Sequence, residues 1–170
     1  MTEHIAQHIP QPSRINFFPG RLLSVGDLEH EQQQARERQW MHNRLLHGHG
    51  VVAGLDVTVA GDRVQVSPGF ALDSFGREIV LASMTCLDAS EVDHESHGRV
   101  QVVITWAEEP AGTVLGPAGS VPDSYVNQPL LMLADHVLGE LPDHGVLLAR
   151  LHRRDGQLVA DPSVRRHVHR

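Results

Sequence analysis

Histidine is the residue type in this sequence most able to hold a metal ion, and the chain has 13 of them. His42, His47 and His49 lie close together in the sequence, and the spacing His47-Gly48-His49 could bring two imidazoles to one point. A transition-metal site generally needs several protein ligands in a fixed geometry, and no carboxylate motif accompanies these histidines. The pattern favours side chains that cap and pack a glycine turn. We therefore predict no metal ion and no other cofactor.

Catalytic signatures are missing from the sequence. It contains no lysine, which excludes Schiff-base chemistry, and it lacks the G-x-S-x-G pattern of nucleophilic hydrolases. Asp73 and Glu78 flank a Ser-Phe-Gly turn, but an acid–base pair needs a cleft that drives the two pKa values apart. Acids beside turns usually accept hydrogen bonds from turn amides, so Asp73 is predicted to form the turn. The lone Cys86 is expected to be packed. The sequence thus predicts a protein that is not an enzyme.

Composition narrows the class of protein further. With 170 residues, 41% of them hydrophobic, the chain is long enough for one domain with its own core. A formal net charge of −7 argues against binding to nucleic-acid phosphates. No apolar run is long enough to span a membrane, and residues 1–11 lack the basic-then-apolar order of a signal peptide. We expect synthesis in the cytoplasm, no membrane span and no nucleic-acid partner.

One long helix is predicted in the N-terminal part of the chain. Ser24 followed by Asp27 fits a capping box, residues 27–46 contain no Gly or Pro, and Gly48 suits the position just after a helix end. One face of this helix follows a seven-residue repeat but is too polar for an autonomous coiled coil. We expect that face to meet another subunit or solvent through Gln32, Ala35, Gln39 and His42.

The last two turns of the same helix are more apolar than the rest. They contain Trp40, Met41, Leu45 and Leu46. We expect this end to dock on a β core, so that aspartate in place of Leu45 and Leu46 would unfold the domain.

From residue 51 onward the hydrophobic period changes from helical to two, which is typical of strands. The alternation predicts one strand over residues 51–59 with an antiparallel partner over 63–67, and a central strand over 100–106. Further strands are predicted at 70–73, 77–81, 85–87, 130–138, 145–152 and 157–159. The fold class is therefore α+β, with one long N-terminal helix followed by a mainly antiparallel β domain of sandwich or barrel-like form.

Turn signals divide the chain into a single domain with short ends. The segment Phe17-Phe18-Pro19-Gly20 is typical of an anchored turn with an aromatic plug, followed by Leu22 and Leu23 as anchors. Eight residues are predicted to fix turns: Pro19, Gly20, Gly48, Gly50, Gly54, Pro68, Gly69 and Gly76. We expect three parts: a flexible lead-in (1–14), a single domain (15–162) and an exposed tail (163–170). Within the domain, a turn and the long helix (15–50) precede a β-rich part (51–162). The β-rich part includes a surface loop (108–128).

The order of these segments resembles a known type of protein. The stretches FFPGRLL (17–23), HNRLLHG (42–48), GVVAGLDV (50–57), VSPGFALD (66–73) and GREI (76–79) occur in this order. Together they resemble a small domain from gene clusters of extracellular contractile injection systems and related phage-tail-like particles. The resemblance covers residues 15–81 and depends on turn and packing motifs.

The resemblance implies a structural role. It predicts a non-enzymatic baseplate or tail-fibre adaptor that ends up in an assembled particle, has other baseplate, tube or fibre proteins as partners, and forms a homo-oligomer such as a trimer. The alternative is a β domain that binds a small ligand or carbohydrate for cell-surface recognition. That function needs exposed aromatic side chains, for which Trp106 and Tyr125 are the candidates near the long loop, and Trp106 is expected in the core.

Overall fold

The computed structural model of the chain describes residues 13–92, 100–135 and 144–168. The predictions for residues 1–12, 136–138 and 169–170 lie outside this part. One long helix is followed by antiparallel strands, so the predicted α+β class is confirmed. In the described ranges, no helix combines the length and the apolar character that crossing a membrane requires.

The helix α1 spans Val25–His42 and begins at a capping box. The Ser24 Oγ accepts a hydrogen bond from the Asp27 amide at 3.1 Å, and the Asp27 carboxylate accepts one from the Ser24 amide at 2.8 Å. The helix then widens into a π-helical turn, Asn43–His47, which ends at Gly48 with a φ of 73°. The helix predicted from the capping signal and the glycine is therefore present at nearly the expected bounds.

Fourteen strands and one short 3-10 helix, Pro162–Val164, follow in the described part of the chain. In chain order the strands are β1 (Gly50–Gly54), β2 (Val57–Ala60), β3 (Arg63–Val66), β4 (Gly69–Leu72), β5 (Glu78–Leu81), β6 (Thr85–Asp88), β7 (Val100–Thr105), β8 (Glu108–Ala111), β9 (Val114–Gly116), β10 (Gly119–Val121), β11 (Ser124–Asn127), β12 (Leu130–Asp135), β13 (Val146–Arg154) and β14 (Gln157–Asp161). They form sheets in the orders β1-β4-β5, β2-β3-β6 and β12-β7-β13-β14, and two ladders, β8 with β11 and β9 with β10. The strand over 100–106 is central, as predicted.

The core lies between the three larger sheets and is aliphatic. Its largest fully buried side chains come from strands of different sheets and from the β1–β2 connection: Leu55, Ile79, Ile104, Leu148 and Leu151. Because the chain has few aromatic residues, branched side chains fill this space, which suits the pleated surface of a sheet.

One predicted strand is wrong in its length. The stretch 51–59 is divided into β1 and β2, which belong to different sheets. Leu55, which is fully buried, takes a φ of 58° between them, and its amide donates to the Pro68 carbonyl at 3.2 Å. Gly54, with a φ of 61°, and Leu55 are two consecutive left-handed residues that turn the chain from one sheet into the next, and alternation of residue types does not reveal such a turn.

The surface loop predicted at 108–128 is instead a long β-hairpin, because β8 pairs with β11 and β9 with β10. Its glycines and prolines, which led to the loop prediction, lie within and between these two short ladders. Gly112, with a φ of 67°, separates β8 from β9.

The described part of the predicted exposed tail, residues 163–168, forms backbone hydrogen bonds with the domain. The Val51 amide donates to the Arg166 carbonyl at 2.8 Å, and the Val168 amide donates to the Val51 carbonyl at 3.1 Å. Arg165 donates to the Gly54 carbonyl and to Asp56. Residues 165–168 therefore extend along the free edge of β1.

Candidate interaction surface of the N-terminal arm

Residues 13–47, which we call the arm, contact the β domain through the C-terminal end of α1. The Trp40 ring meets the Trp106 ring edge to face, with centroids 6.2 Å apart. The buried Asn43 donates from its side-chain amide to the Gly76 carbonyl at 2.9 Å. Gly76 also leaves no room for a side chain, because a Cβ there would collide with the Trp40 carbonyl. The docking predicted for this end of the helix is thus present, through Trp40.

The turn that receives the arm is held by a buried carboxylate. Asp73 is fully buried and accepts from the Phe75 amide at 2.9 Å and the Arg77 amide at 2.8 Å. Its second oxygen lies 2.5 Å from Arg77 Nε. The Arg77 guanidinium then stacks over the Trp106 ring at 4.4 Å from the centroid. Asp73 is confirmed as a turn former, and the turn supports the tryptophan on which the arm rests.

Among the described residues near this turn, one serine contacts a histidine. The Ser74 Oγ lies 2.9 Å from the His144 Nδ1. Asp73, the acid next to Ser74 in the sequence, is already bound by two amides and a guanidinium. The Phe75 ring packs against His144 with centroids 3.7 Å apart. Among residues 13–92, 100–135 and 144–168, no carboxylate is found hydrogen-bonded to His144 in the way that a nucleophilic triad uses.

The histidines near the helix end also do not converge on one point. The His42 and His47 rings have centroids 5.4 Å apart, and His49 Nε2 lies 3.1 Å from a guanidinium nitrogen of Arg166. Burial, and then the charge of Arg166, lowers the pKa of His49. Among residues 13–92, 100–135 and 144–168, no group of three or more metal-binding side chains is found. Cys86, which was expected to be packed, is exposed.

An extended segment runs back along α1. The Ile15 amide donates to Glu31 Oε1 at 3.0 Å, and Arg38 donates to the Ser13 carbonyl at 2.7 Å. Arg21 donates to the Asn16 carbonyl at 2.9 Å. Ser13, which falls in the predicted flexible lead-in, is thus fixed to the helix by side-chain hydrogen bonds. These hydrogen bonds hold the extended segment against one face of α1, and other faces of the helix are exposed.

The start of the arm exposes a set of large apolar side chains, which we call the apolar tip: Phe17, Phe18, Leu22, Leu23, Val25 and Leu28. Leu22 is 92% exposed and Val25 is 72% exposed. The predictions of an aromatic plug and of leucine anchors are therefore wrong, because these residues contact solvent rather than the core. Single exposed apolar residues are common, whereas clusters of exposed apolar residues are typical of surfaces that bind a partner.

The predicted interaction face of α1 is also exposed. Gln32, Ala35, Gln39 and His42 all lie on the surface, and within the described residues no side chain of α1 is buried. Gln39 additionally donates to Asn43 at 3.2 Å and to Glu78 at 3.4 Å. This face therefore continues from the apolar tip to the contact with the β domain.

Leu45 and Leu46 are not buried, which contradicts the sequence prediction. They are 41% and 65% exposed. The π-helical turn changes the spacing at this point, so Asn43 occupies the buried position and the two leucines face outward. Hydrophobicity alone could not indicate the extra residue in the turn.

Five of the eight predicted turn residues lie where the chain changes direction, and the other three, Gly50, Gly54 and Gly69, lie instead within the strands β1 and β4. Pro19 and Gly20 form the turn before α1, Gly48 ends the π-helical turn, and Gly76 receives the arm. The remaining four lie where β1 meets β4 and the C-terminal segment: Gly50, Gly54, Pro68 and Gly69. At Gly54 and Gly69 the backbones of neighbouring segments approach so closely that a Cβ on either residue would overlap backbone atoms of the neighbouring segment.

The β8–β11 hairpin is a second exposed feature, for which the sequence predicted a surface loop but not the paired strands. Arg36 of α1 contacts Glu108 at its base at 2.9 Å, and the Asn127 side chain donates to the Glu78 carbonyl at 2.8 Å. Leu115 is 91% exposed and Tyr125 is exposed. Trp106, the other candidate for a ligand-stacking aromatic, is held between Trp40 and Arg77.

Comparisons with known proteins give matches to solved structures. No protein-family model matches the chain, and no curated protein sequence matches it. A crystal structure of TssK superposes with a TM-score of 0.55 at 12% identity, covering 89% of this chain and 41% of that one. A chain of the type VI secretion system TssK-TssF-TssG baseplate subcomplex, determined by cryo-electron microscopy, gives 0.57 at 17% identity, covering 90% and 61%.

A chain of the type VI secretion system baseplate complex gives 0.54 at 17% identity, covering 90% of this chain and 58% of that chain. The protein therefore shares its fold, over nearly all of its length, with chains of baseplate assemblies. It spans less than two thirds of the length of each of them.

Proposed function

We propose that this chain is a non-enzymatic structural subunit of the baseplate of a contractile, phage-tail-like injection particle. In this role it acts as an adaptor, made in the cytoplasm and then built into the particle. The shared fold with TssK and with type VI baseplate chains supports this proposal. The resemblance of residues 15–81 to a domain of contractile injection systems supports it independently.

The observation that carries the proposal is the apolar tip. An arm anchored by one end through Trp40 and Asn43 presents apolar side chains at its other end. Exposed apolar surface of this kind is stabilised when a partner covers it, at roughly 25 cal/mol for each Å² removed from water. An adaptor needs such a surface, whereas a hydrolase would need an assembled catalytic site.

The partners proposed are other baseplate, tube or fibre proteins. The fold neighbours include a chain of an assembly that contains TssF and TssG, which makes the equivalent subunits of this chain's own particle the first candidates. Covering the apolar tip by such a subunit would leave the β domain free to contact further components.

Variants of the apolar tip test this proposal in cells that assemble the particle. Leu22→Ser with Leu23→Ser removes apolar surface from exposed positions, so the variant should fold normally. Met84→Ser is the matched control, because Met84 is also exposed and apolar but lies outside the arm. We expect the wild type and the control to co-sediment with purified particles and the tip variant to be lost. Equal recovery of all three proteins would contradict a docking role for the tip.

A further inference from the structure

The exposed face of α1 has the pattern of a helix–helix contact. Its residues alternate at spacings of three and four, and we call them the seam: Val25, Leu28, Gln32, Ala35, Gln39 and His42. All six are exposed. This spacing is the one with which parallel helices interlock along a coiled coil. The structure adds Val25 and Leu28 as exposed apolar members, so that the seam begins in the apolar tip.

The seam also differs from the rest of α1 in charge. It contains no acidic side chain and no arginine, whereas the neighbouring positions carry Glu29, Glu31, Arg36 and Arg38. Two identical seams can therefore meet at neutral pH without like charges facing each other. A helix face of this composition is suited to contact its own copy.

The flanks of the seam favour one direction of packing. Glu31 lies on one side of the seam and Arg36 on the other, five positions further along. In parallel coiled coils, side chains in these two flanking positions meet between neighbouring helices and form ion pairs. Glu31 of one copy would therefore face Arg36 of the next. Each group has a second terminal atom besides the one that hydrogen-bonds within the chain. Glu31 Oε1 accepts from Ile15, and Arg36 Nη2 donates to Glu108 while the Arg36 guanidinium also lies 5.0 Å from the Trp40 ring centroid.

We propose that copies of this chain associate in parallel through the seam of α1, with Glu31 and Arg36 paired between copies. This inference goes beyond the proposed function, because a baseplate subunit could also be incorporated as a monomer. The polar residues in the middle of the seam make the contact weaker than a fully apolar coiled coil but specify its alignment.

Disulfide cross-linking of the full chain tests this arrangement. After Cys86→Ser removes the exposed native thiol, Leu28→Cys and His42→Cys are made separately. These positions are about 21 Å apart along the helix, and a disulfide requires Cα atoms within about 7 Å. A parallel pair brings equal residues together at both levels, whereas an antiparallel pair can do so at one level at most. Gln33→Cys, an exposed position outside the seam, is the control.

We expect both seam variants to form cross-linked species under mild oxidation, and the control to remain uncross-linked. Cross-linking at one level, or between Leu28→Cys and His42→Cys in a mixture, would overturn the parallel arrangement. No cross-linking of either seam variant, with circular dichroism showing an intact fold, would overturn self-association through α1. Co-sedimentation of the Cys86→Ser chain with particles is measured in a separate experiment. A negative cross-linking result therefore contradicts self-association but not the proposed role in the baseplate.

Reversal of charge provides a second test, read out by sedimentation equilibrium. Glu31→Arg should weaken self-association about tenfold, because arginines would face each other between copies. The double variant Glu31→Arg with Arg36→Glu restores opposite charges between copies, although it removes the contact of Glu31 with Ile15 and those of Arg36 with Glu108 and Trp40. We expect it to recover most of the wild-type association. A double variant as weak as the single one would show that Glu31 and Arg36 do not pair between copies.

Discussion

Trp40 of the helix and Trp106 at the end of β7 meet edge to face, with ring centroids 6.2 Å apart. A guanidinium also packs against each ring. That of Arg36 lies 5.0 Å from the Trp40 centroid, and that of Arg77 lies 4.4 Å from the Trp106 centroid. This stack joins the arm to the β domain and sets the direction in which the arm projects.

A double-mutant cycle on the two tryptophans should measure that connection. We expect Trp40→Ala and Trp106→Ala to destabilise the protein less in combination than the sum of the single changes, with a coupling of about 1 kcal/mol. Urea denaturation of the four proteins gives the free energies of unfolding. Additive effects would mean that the two rings contribute independently and that the stack does not hold the arm.

Gly76 should tolerate a side chain much less well than another glycine of similar backbone conformation. Its φ is +86°, and a Cβ would collide with the Trp40 carbonyl. Gly61 has a φ of +63° but no heavy atom within 4 Å of the Cβ position. We expect Gly61→Ala to lower the free energy of unfolding by about 1 kcal/mol through backbone strain. Gly76→Ala should lower it by about 3 kcal/mol, because the collision adds to the strain. Equal losses in thermal denaturation would show that the helix does not press on this turn.

The start of α1 should depend on pH through Asp27. Hydrogen bonds from Ser24, assisted by Arg21, lower the pKa of Asp27 from 3.8 to about 2. Since the folded-state pKa is the lower one, the stabilisation is fully present above pH 3.8 and is lost as the pH falls towards 2. An NMR titration of the Asp27 side chain should give a midpoint near 2. A midpoint near 3.8, or unchanged protection of the first-turn amides in Asp27→Asn, would count against the capping box.

Leu46 should accept a charge without unfolding the protein, which reverses the expectation from the sequence. It is 65% exposed, so Leu46→Asp should change the free energy of unfolding by less than about 1 kcal/mol. Leu148 is fully buried, and Leu148→Asp should cost about 5 kcal/mol or more, enough to prevent folding. Loss of the folded state in Leu46→Asp, seen by circular dichroism, would show that the end of the helix is buried after all.

The elements that depend on local signals could be predicted from the sequence. The capping box at Ser24 and Asp27, the helix end at Gly48 and the Asp73 turn each involve residues close together in the chain, and the structure has all three. The helix face with Gln32 and Ala35 was recognised from its spacing, and its role as an interface remains a proposal.

The features that depend on tertiary geometry could not be predicted. Leu55 turns the chain between sheets with a backbone conformation that leucine seldom adopts. The π-helical turn moves Leu45 and Leu46 outward, and Phe17, Phe18, Leu22 and Leu23 are exposed although their hydrophobicity is typical of a core. A sequence does not distinguish an apolar residue that packs in its own core from one that packs against a partner, and the apolar tip consists of residues of this kind.

The most direct test of the central claim is the ratio of this chain to the sheath protein in particles purified from cells that produce both. Quantitative mass spectrometry would measure it before and after a wash at about 1 M salt, which screens exposed charges and leaves apolar contacts intact. The proposed role as a baseplate subunit predicts a fixed ratio that the wash does not change. A ratio that varies between preparations, or the absence of the chain from washed and intact particles, would contradict it.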